Sequence, residues 1–309
     1  MRLPAKGIQF TDIDHNRHGN SNGVKLGTVV QARYQLSDIA ASYLWIDQLT
    51  IDQSNKEEKS HQVQLMGNIY SCASSVVAWL GLASEDSQHA RIFIEQQTSG
   101  TMSKSDVDLQ STSSETWKLA PKILQRPYWT RLWIMQELAL AKDVTFVCGE
   151  WVWPRSDLRL LANLGAARSW VMSCYGTIAL AKSIHTLPQV ILNFYCPTGD
   201  RNQGFLLCEN KLDKIYGILG MVVPAQRVIV DYNKTPNEVL LDVINLTIEI
   251  LAADISSAQW ASGEGGEAFK ISLDVARASS FALGVCDTTW STKAALYYIW
   301  EKHMNRKRR

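Results

Sequence analysis

The sequence predicts an α/β fold with a parallel sheet and flanking helices, followed by a mostly helical C-terminal region. A strand–helix–strand pattern over residues 43–80 indicates the sheet, because parallel strands need a crossover connection between them. Residues 143–154 alternate well enough between apolar and polar side chains to favour two further strands. After residue 155 the apolar spacing becomes helical. We therefore expect a first domain over residues 1–154 and a helical region over 155–309.

The N-terminal part of the sequence, up to the first buried strand, carries several signals of secondary structure. Residues 1–20 are polar and rich in His and Asn, which predicts a loop, and the pair Asn22-Gly23 predicts a turn. The segments "VKLGTVV" and "QARYQLSDIA" favour a short strand and a helix. The run "SYLWID" is short, apolar and bounded by polar residues, which is typical of a buried strand.

A helix and a second buried strand complete the strand–helix–strand unit. Ser54 precedes Glu57 by three residues, the spacing of a capping box that opens a helix. The run "SSVVAWLG" predicts the next strand. We expect residues 43–47 and 75–80 to be neighbouring parallel strands, with the helix packed on one face of the sheet. Two tryptophans of these strands are expected in the core, Trp45 and Trp79.

The rest of the chain carries a polar insertion and further helix signals. Residues 98–116 are rich in Ser and Thr, which indicates a flexible surface loop or a disordered insertion. A helix is predicted over residues 130–142, followed by two strands with a turn at Gly149 in "DVTFVCGEWVWP". A later helix start is signalled by an N-cap, a proline and a glutamate, at Thr235, Pro236 and Glu238.

Composition and charge exclude several classes of function. The chain has 309 residues, and its 31 Lys and Arg against 30 Asp and Glu leave a net charge of +1, which favours no nucleic-acid partner. No apolar run is long enough to span a membrane, and residues 1–20 lack the apolar core of a signal peptide. Scattered cysteines and dispersed histidines predict no metal site. We expect a cytoplasmic protein with reduced thiols.

Two carboxylates follow the first buried strand closely. In an open parallel sheet, ligands bind outside the carboxyl ends of the strands. Asp47 stands at the carboxyl end of "YLWI", and Asp52 and Gln53 lie in the loop that follows. A structural interpretation is equally available, because an Asp at a strand end often accepts hydrogen bonds from loop N–H groups. Spacing alone leaves both interpretations open.

A second polar group lies in "RPYWTRLWIMQEL". On a helix, Glu137 has apolar residues one turn before it and one turn after it. A carboxylate in such surroundings is costly unless it is paired or functional. One interpretation pairs Glu137 with a cation, Arg131 first and Arg126 second. The other makes it a poised acid in a cleft.

The two blocks together resemble a known family. The segments "YLWIDQLTIDQ", "EEKSHQVQLMGNIYSCASSVVAWLG" and "RPYWTRLWIMQELALAKDVTFVCG" look like the central and later blocks of the fungal heterokaryon incompatibility (HET) domain. The segments "DKIYGILGM" and "VDYNKTPNEVLLDV" resemble those that often follow in long HET-domain proteins. The resemblance covers most of residues 20–250, and it assigns residues 1–154 to a HET domain.

The resemblance implies a TIR-like, flavodoxin-like sheet and a role in fungal non-self recognition and programmed cell death, a form of innate immunity. A protein partner or self-association is then expected. Some TIR-like domains cleave NAD with a glutamate, so NAD is implied as a substrate and no cofactor is expected. Carried over to this chain, the catalytic positions are Glu137 and Asp47. The implied ligand-binding positions are Asp52, Gln53, Glu58, Gln62, Arg131 and Gln136.

Two departures from the family pattern bear on these expectations. Thr50 stands where the family usually has a cysteine, which excludes thiolate chemistry at that position. The family's opening strand with a Ser-Tyr-x-Trp-Gly pattern is absent, and "GIQFTDIDHNRHGN" stands in its place, so the N-terminal edge is expected to be shortened or divergent. Three functions stay open: a signalling module, an NAD-glycohydrolase-like enzyme, and a degenerate, inactive paralogue.

Overall fold

A computed structural model describes residues 8–11, 44–98, 114–162, 185–195, 206–253, 265–285 and 300. The chain divides into two units. The first is built from residues 1–52 and 68–180, and the second from residues 53–67 and 181–309. The predicted domain boundary between residues 154 and 155 stays a prediction. The strand and helix expected in "VKLGTVV" and "QARYQLSDIA" lie outside the described residues.

Five strands in the described part of the first unit form one sheet. They are β1 (Ile8–Thr11), β2 (Leu44–Ile46), β3 (Ser75–Trp79), β4 (Val144–Cys148) and β5 (Trp151–Pro154). Their order across the sheet is β2-β1-β3-β4-β5. Strand β1 pairs in parallel with β2 and β3, β3 pairs in parallel with β4, and β5 runs antiparallel to β4. The predicted α/β class is therefore confirmed.

Strand β1 corrects two predictions. Residues 1–20 are expected to be loop, yet Ile8–Thr11 form a strand between β2 and β3. The segments 43–47 and 75–80 therefore contribute parallel strands to one sheet, but they are not neighbours. Phe10 lies opposite Ile46 on one side and Val77 on the other. Strands on both sides stabilise this four-residue strand, and that pairing is tertiary context that local propensity does not contain.

The centre of the sheet supplies the core of the first unit. The side chains of β3 from Val76 to Trp79 are at most 2% exposed, and Val144 and Phe146 of β4 are fully buried. Trp79 is thus buried as predicted, whereas Trp45 is only half-buried. Trp45 lies in β2 at the edge of the described sheet, where a strand has a neighbour on one side only.

Six helices lie between or directly after these strands in the described part of the chain. They are α1 (Asp47–Thr50), α2 (Lys56–Cys72), α3 (Glu85–Thr98), α4 (Ser114–Leu119), α5 (Ile134–Leu140) and α6 (Arg155–Ala162). Two 3-10 turns, Ala120–Gln125 and Pro127–Thr130, precede α5 and make it shorter than the helix predicted over residues 130–142. Of the predicted 98–116 loop, residues 99–113 lie outside the described residues, while α4 begins at Ser114.

The start of α2 differs from its predicted capping box. Asn55 caps the helix, because its Oδ1 accepts the backbone N–H groups of Glu57 and Glu58 at 3.1 Å each. Asn is among the preferred N-cap residues, so the helix begins one residue later than a cap at Ser54 would place it. Residues 53–67 belong to the second unit and residues 68–72 to the first.

Strands β4 and β5 form the predicted hairpin with its turn at Gly149. The φ angle of Gly149 is 57°, in the left-handed region that favours glycine. A Cβ at this position would lie 2.4 Å from the Cβ of Ala83, and the Gly149 N–H donates to the carbonyl of Gly81 at 2.9 Å. The turn therefore requires glycine both for its backbone angle and for space.

The described residues of the second unit are mostly helical after residue 181. They include α7 (Leu187–Tyr195), α8 (Asp213–Tyr216), α9 (Pro236–Ala253) and α10 (Gly265–Leu283). Helix α9 begins as predicted: the Thr235 hydroxyl accepts the Glu238 N–H at 3.3 Å, and Glu238 Oε2 accepts the Thr235 N–H at 2.8 Å. This reciprocal pair is a capping box with proline at the first helical position.

The first turns of α2 pack within the second unit through side-chain contacts to the segment before α9. Gln64 Oε1 accepts the Val230 N–H at 2.8 Å, and the Ser60 hydroxyl accepts the Tyr232 N–H at 3.0 Å. The Lys59 ammonium lies 4.4 Å from the centre of the Tyr232 ring. These contacts satisfy an irregular backbone that makes no sheet ladder of its own.

Among the described residues, no helix combines the length and apolar character that crossing a membrane requires. Cys72, Cys148 and Cys208 are free thiols, and the other three cysteines lie outside the described ranges.

Candidate functional site

Asp47 directly follows β2 and is the first residue of α1. Its Oδ1 accepts the backbone N–H of Gln48 at 2.8 Å, and the Thr50 hydroxyl donates to the Ile46 carbonyl at 2.7 Å. The half-buried carboxylate therefore has the local structural role expected of an Asp at a strand end. Asp52 is exposed.

The second polar block surrounds the start of α5, where several polar side chains are buried. Arg131 is 7% exposed, Gln136 is 1% exposed and Glu137 is fully buried. The hydroxyl of Tyr128, also fully buried, donates to Glu137 Oε2 over a long 3.4 Å. The burial predicted for Glu137 is thus confirmed. A carboxylate in such a place depends on its polar neighbours.

Arg126 is not the cation that accompanies Glu137. Its guanidinium forms an ion pair with Asp86, with nitrogen–oxygen distances of 2.6 and 2.8 Å. It also donates to the carbonyls of Leu80 and Leu82 at 2.9 Å each, which fixes the loop after β3 to the start of α3. The prediction of Arg126 as an alternative partner of Glu137 is therefore wrong.

Tyr70, near the end of α2, is fully buried, and charges from both polar blocks shift its pKa. Burial raises the pKa of its hydroxyl well above the ordinary value, the charges of Glu137 and Asp47 raise it further, and Arg131 lowers it. The ion pairs among the described residues do not include one between Arg131 and Glu137.

We call these residues the Glu137 cluster: Asp47, Tyr70, Tyr128, Arg131 and Glu137. Its chemistry follows from its members. A tyrosine hydroxyl is protonated at neutral pH, so the Tyr70 hydroxyl is a hydrogen-bond donor. The guanidinium of Arg131 is a permanent cation, and the carboxylate of Glu137 is suited to stabilise positive charge or exchange a proton. Within the described ranges, no group of three His, Cys, Asp or Glu side chains is arranged to hold a metal ion.

Three predicted ligand-binding residues belong to the second unit, whereas the members of the Glu137 cluster belong to the first. Gln53 is exposed, and Glu58 and Gln62 are half-buried on one face of α2, as their spacing of four predicts. Their assignment stays a prediction, as do the roles of Asp52 and Gln136.

Sequence reasoning missed the two tyrosines of the cluster. Tyr70 is assigned to the apolar face of α2 by its spacing, and Tyr128 lies in the quoted block without being singled out. A signal was available, because a tyrosine at a core position carries a hydroxyl that must find a partner. That signal does not say which polar groups it meets.

Parts of the chain are similar to known proteins. Residues 13–137 match the family described as "Heterokaryon incompatibility protein (HET)". The chain is 26% identical to Heterokaryon incompatibility protein 6, OR allele, of Neurospora crassa over a 261-residue alignment, which covers 66% of this chain and 38% of that relative. No solved structure matches the chain. The resemblance predicted from the sequence is confirmed: residues 13–137 are similar to the heterokaryon incompatibility family, and the chain spans 38% of the length of the relative it matches.

Proposed function

We propose that the chain acts in fungal non-self recognition, as a HET-domain module whose activation leads to programmed cell death. The observation that carries this proposal is the family match over residues 13–137, which includes every member of the Glu137 cluster. The similarity to Heterokaryon incompatibility protein 6 supports it. We expect the protein to act in the cytoplasm and to be activated by a protein partner or by self-association.

A TIR-like, flavodoxin-like architecture is part of the same proposal. The strand order 2-1-3-4-5 is that of flavodoxin-like sheets, and the order observed here agrees with it. The parallel pairing of β1 to β4 also supports the proposal, while the antiparallel β5 departs from it. In such sheets ligands bind at the carboxyl ends of the strands, and Asp47 follows the end of β2.

Conditional clustering of the full chain in a filamentous fungus tests the signalling function. The chain is fused to a domain that a small molecule dimerises, and cell death is followed by dye uptake and colony growth. We expect clustering to kill cells and the Glu137→Gln variant, which keeps the shape and removes the charge, to lose this effect. Glu95→Gln on α3 is the matched control, because Glu95 is 58% exposed and pairs with Arg91 at the surface.

The signalling proposal fails if the wild-type chain accumulates as folded protein and leaves cells alive, both alone and when clustered. If the Glu137→Gln protein no longer folds, loss of cell killing in this variant shows only that Glu137 has a structural role. Circular dichroism of the purified variant distinguishes that case.

NAD-glycohydrolase-like activity is a second candidate, favoured by the full burial of Glu137 beside the hydroxyl of Tyr128. Glycosidic cleavage passes through an oxocarbenium-like transition state. A fixed carboxylate in a water-poor site stabilises such developing positive charge. In this proposal Asp47 orients the polar ligand and Glu137 acts at the reacting centre.

Loss of NAD from a solution of purified protein, followed by chromatography, tests this second candidate. We expect wild type and Glu95→Gln to consume NAD at the same rate and Glu137→Gln to leave it intact. If wild type consumes none, alone or clustered, the enzyme proposal is refuted. If it also fails to kill cells, the third possibility, a degenerate paralogue, accounts for the chain.

A further inference from the structure

Residues 228–232, which we call the strap, form an extended segment of the second unit. The side chains of Val228, Val230 and Tyr232 are buried, whereas that of Ile229 is 75% exposed. This alternation with a period of two is typical of extended backbone. None of the five residues belongs to a helix or a strand, so the backbone N–H groups of the strap need partners outside a sheet.

Two side chains of α2, one helical turn apart, are those partners. Gln64 Oε1 accepts the Val230 N–H at 2.8 Å, and the Ser60 hydroxyl accepts the Tyr232 N–H at 3.0 Å. Four residues of a helix rise about 6 Å, and two residues of an extended segment rise about 6.6 Å. Because the two spacings match, both hydrogen bonds form in one register, and α2 holds the strap by its backbone.

The strap is held less firmly by α2 than by the rest of the second unit. The Tyr232 hydroxyl donates to the buried carboxylate of Asp213 in α8 at 2.5 Å. A hydrogen bond to a charged group is roughly twice as strong as one between neutral groups, and both bonds from the strap to α2 join neutral groups. The contact of Lys59 with the Tyr232 ring adds little, because the lysine is half-exposed. The strap therefore separates from α2 more easily than from α8.

A close approach of two glycines makes the first turns of α2 depend on this docking. A Cβ on Gly67 would lie 2.9 Å from the Cα of Gly220, which is closer than carbon atoms pack. Glycine inside a helix is less favourable than alanine, so Gly67 weakens the free helix and favours the docked one. The helix belongs to the second unit up to Gly67 and to the first unit from Asn68.

We propose that the strap restrains the region matched to the HET family in the resting chain, and that its release from Ser60 and Gln64 is the step that activates signalling. This inference rests on the proposed signalling function and adds a regulatory contact to it. Residues 53–67 lie inside the family match, yet they pack with the C-terminal part of the chain. Because α2 is one continuous helix, release at its start also acts on its end in the first unit.

Hydrogen exchange of the Val230 amide in the full chain, followed by NMR, tests the strap without any signalling assay. Gln64→Met keeps the length of the side chain and removes the acceptor oxygen, whereas Gln64→Glu keeps an acceptor. We expect exchange at Val230 to rise about fivefold in Gln64→Met and to stay unchanged in Gln64→Glu. Gln88→Met, at an exposed position of α3, is the matched control. Unchanged exchange in Gln64→Met overturns the proposal.

Gly67→Ala gives a second test that does not weaken the helix itself. Alanine raises the helix propensity of α2 but collides with Gly220, so we expect faster exchange at both Val230 and Tyr232 with no loss of helical circular dichroism. Gly266→Ala is its control, because a Cβ there meets nothing within 4 Å. Slower exchange of the strap in Gly67→Ala contradicts the docking argument.

The dose of the dimerising small molecule that kills half of the cells tests the restraint. We expect Gln64→Met and Gly67→Ala to need an about fivefold lower dose than wild type, and Gln64→Glu and Gln88→Met to need the same dose. If wild type kills when clustered and the two strap variants need an equal or higher dose, the restraint is refuted and the signalling function stands. If wild type kills at no dose while exchange at Val230 rises as expected, the signalling function is refuted and the strap contact stands.

Discussion

Replacing Arg126 with alanine removes a polar network that holds the loop after β3. The guanidinium donates five hydrogen bonds, to the Ser84 hydroxyl, both carboxylate oxygens of Asp86 and the carbonyls of Leu80 and Leu82. Removing one partner of a buried ion pair costs about 3–5 kcal/mol. The side chains of Arg126 and Asp86 are 12% and 14% exposed, so the pair is not fully buried. We therefore expect a loss near the lower end of this range, about 3 kcal/mol in the free energy of unfolding.

Urea denaturation, followed by tryptophan fluorescence and circular dichroism, measures this loss. Arg277→Ala is the matched control, because Arg277 faces Asp274 at 3.8 Å with both side chains more than 40% exposed. We expect that variant to lose less than about 1 kcal/mol. A loss for Arg126→Ala no larger than that of the control would refute the reasoning.

The same network predicts a pH dependence. Burial raises the pKa of Asp86, but the hydrogen bonds from Arg126 and Ser84 and the charge of Arg126 outweigh burial, so the pKa lies below its ordinary value. A carboxyl with a lowered folded-state pKa contributes stability above its unfolded pKa, about 3.9, and loses it as the pH falls through the folded value. The stability difference between wild type and Asp86→Asn should therefore be full at pH 7 and shrink below about pH 4. A difference that persists unchanged at acid pH contradicts this assignment.

Two further predictions concern the core and the hairpin. Trp79→Ala should lose about 3–5 kcal/mol of unfolding free energy in urea, and half-buried Trp45→Ala distinctly less, so equal losses would contradict the burial argument. Gly149→Ala should lose about 2 kcal/mol or more, because it combines a left-handed backbone with a clash against Ala83. Gly266→Ala in α10 is its control: a Cβ there meets nothing within 4 Å, so a loss as large as that of Gly149→Ala would show that the turn geometry is not the cause.

Local patterns predicted the elements whose determinants are local. The hairpin turn at Gly149 and the start of α9 at Pro236 each depend on residues within a few positions, and both are confirmed. Strand β1 depends on pairing with β2 and β3, which lie more than 30 residues away in sequence. Its four residues in a polar segment carry too weak a pattern to predict a strand without those partners.

Arg126 and Arg131 show the same limit of sequence-based prediction at the candidate site. Both lie close to Glu137 in sequence, so sequence alone ranks them only by distance along the chain. The partner of Arg126 is Asp86, 40 residues earlier in the chain. Because the Arg126 guanidinium forms its ion pair with Asp86, it does not pair with Glu137. Arg131 keeps a buried nitrogen without a partner among the described residues, and its charge acts on Tyr70. An arginine that already has five acceptors stabilises the fold, so Arg126 has a structural role, whereas the ligand-binding role of Arg131 stays a prediction.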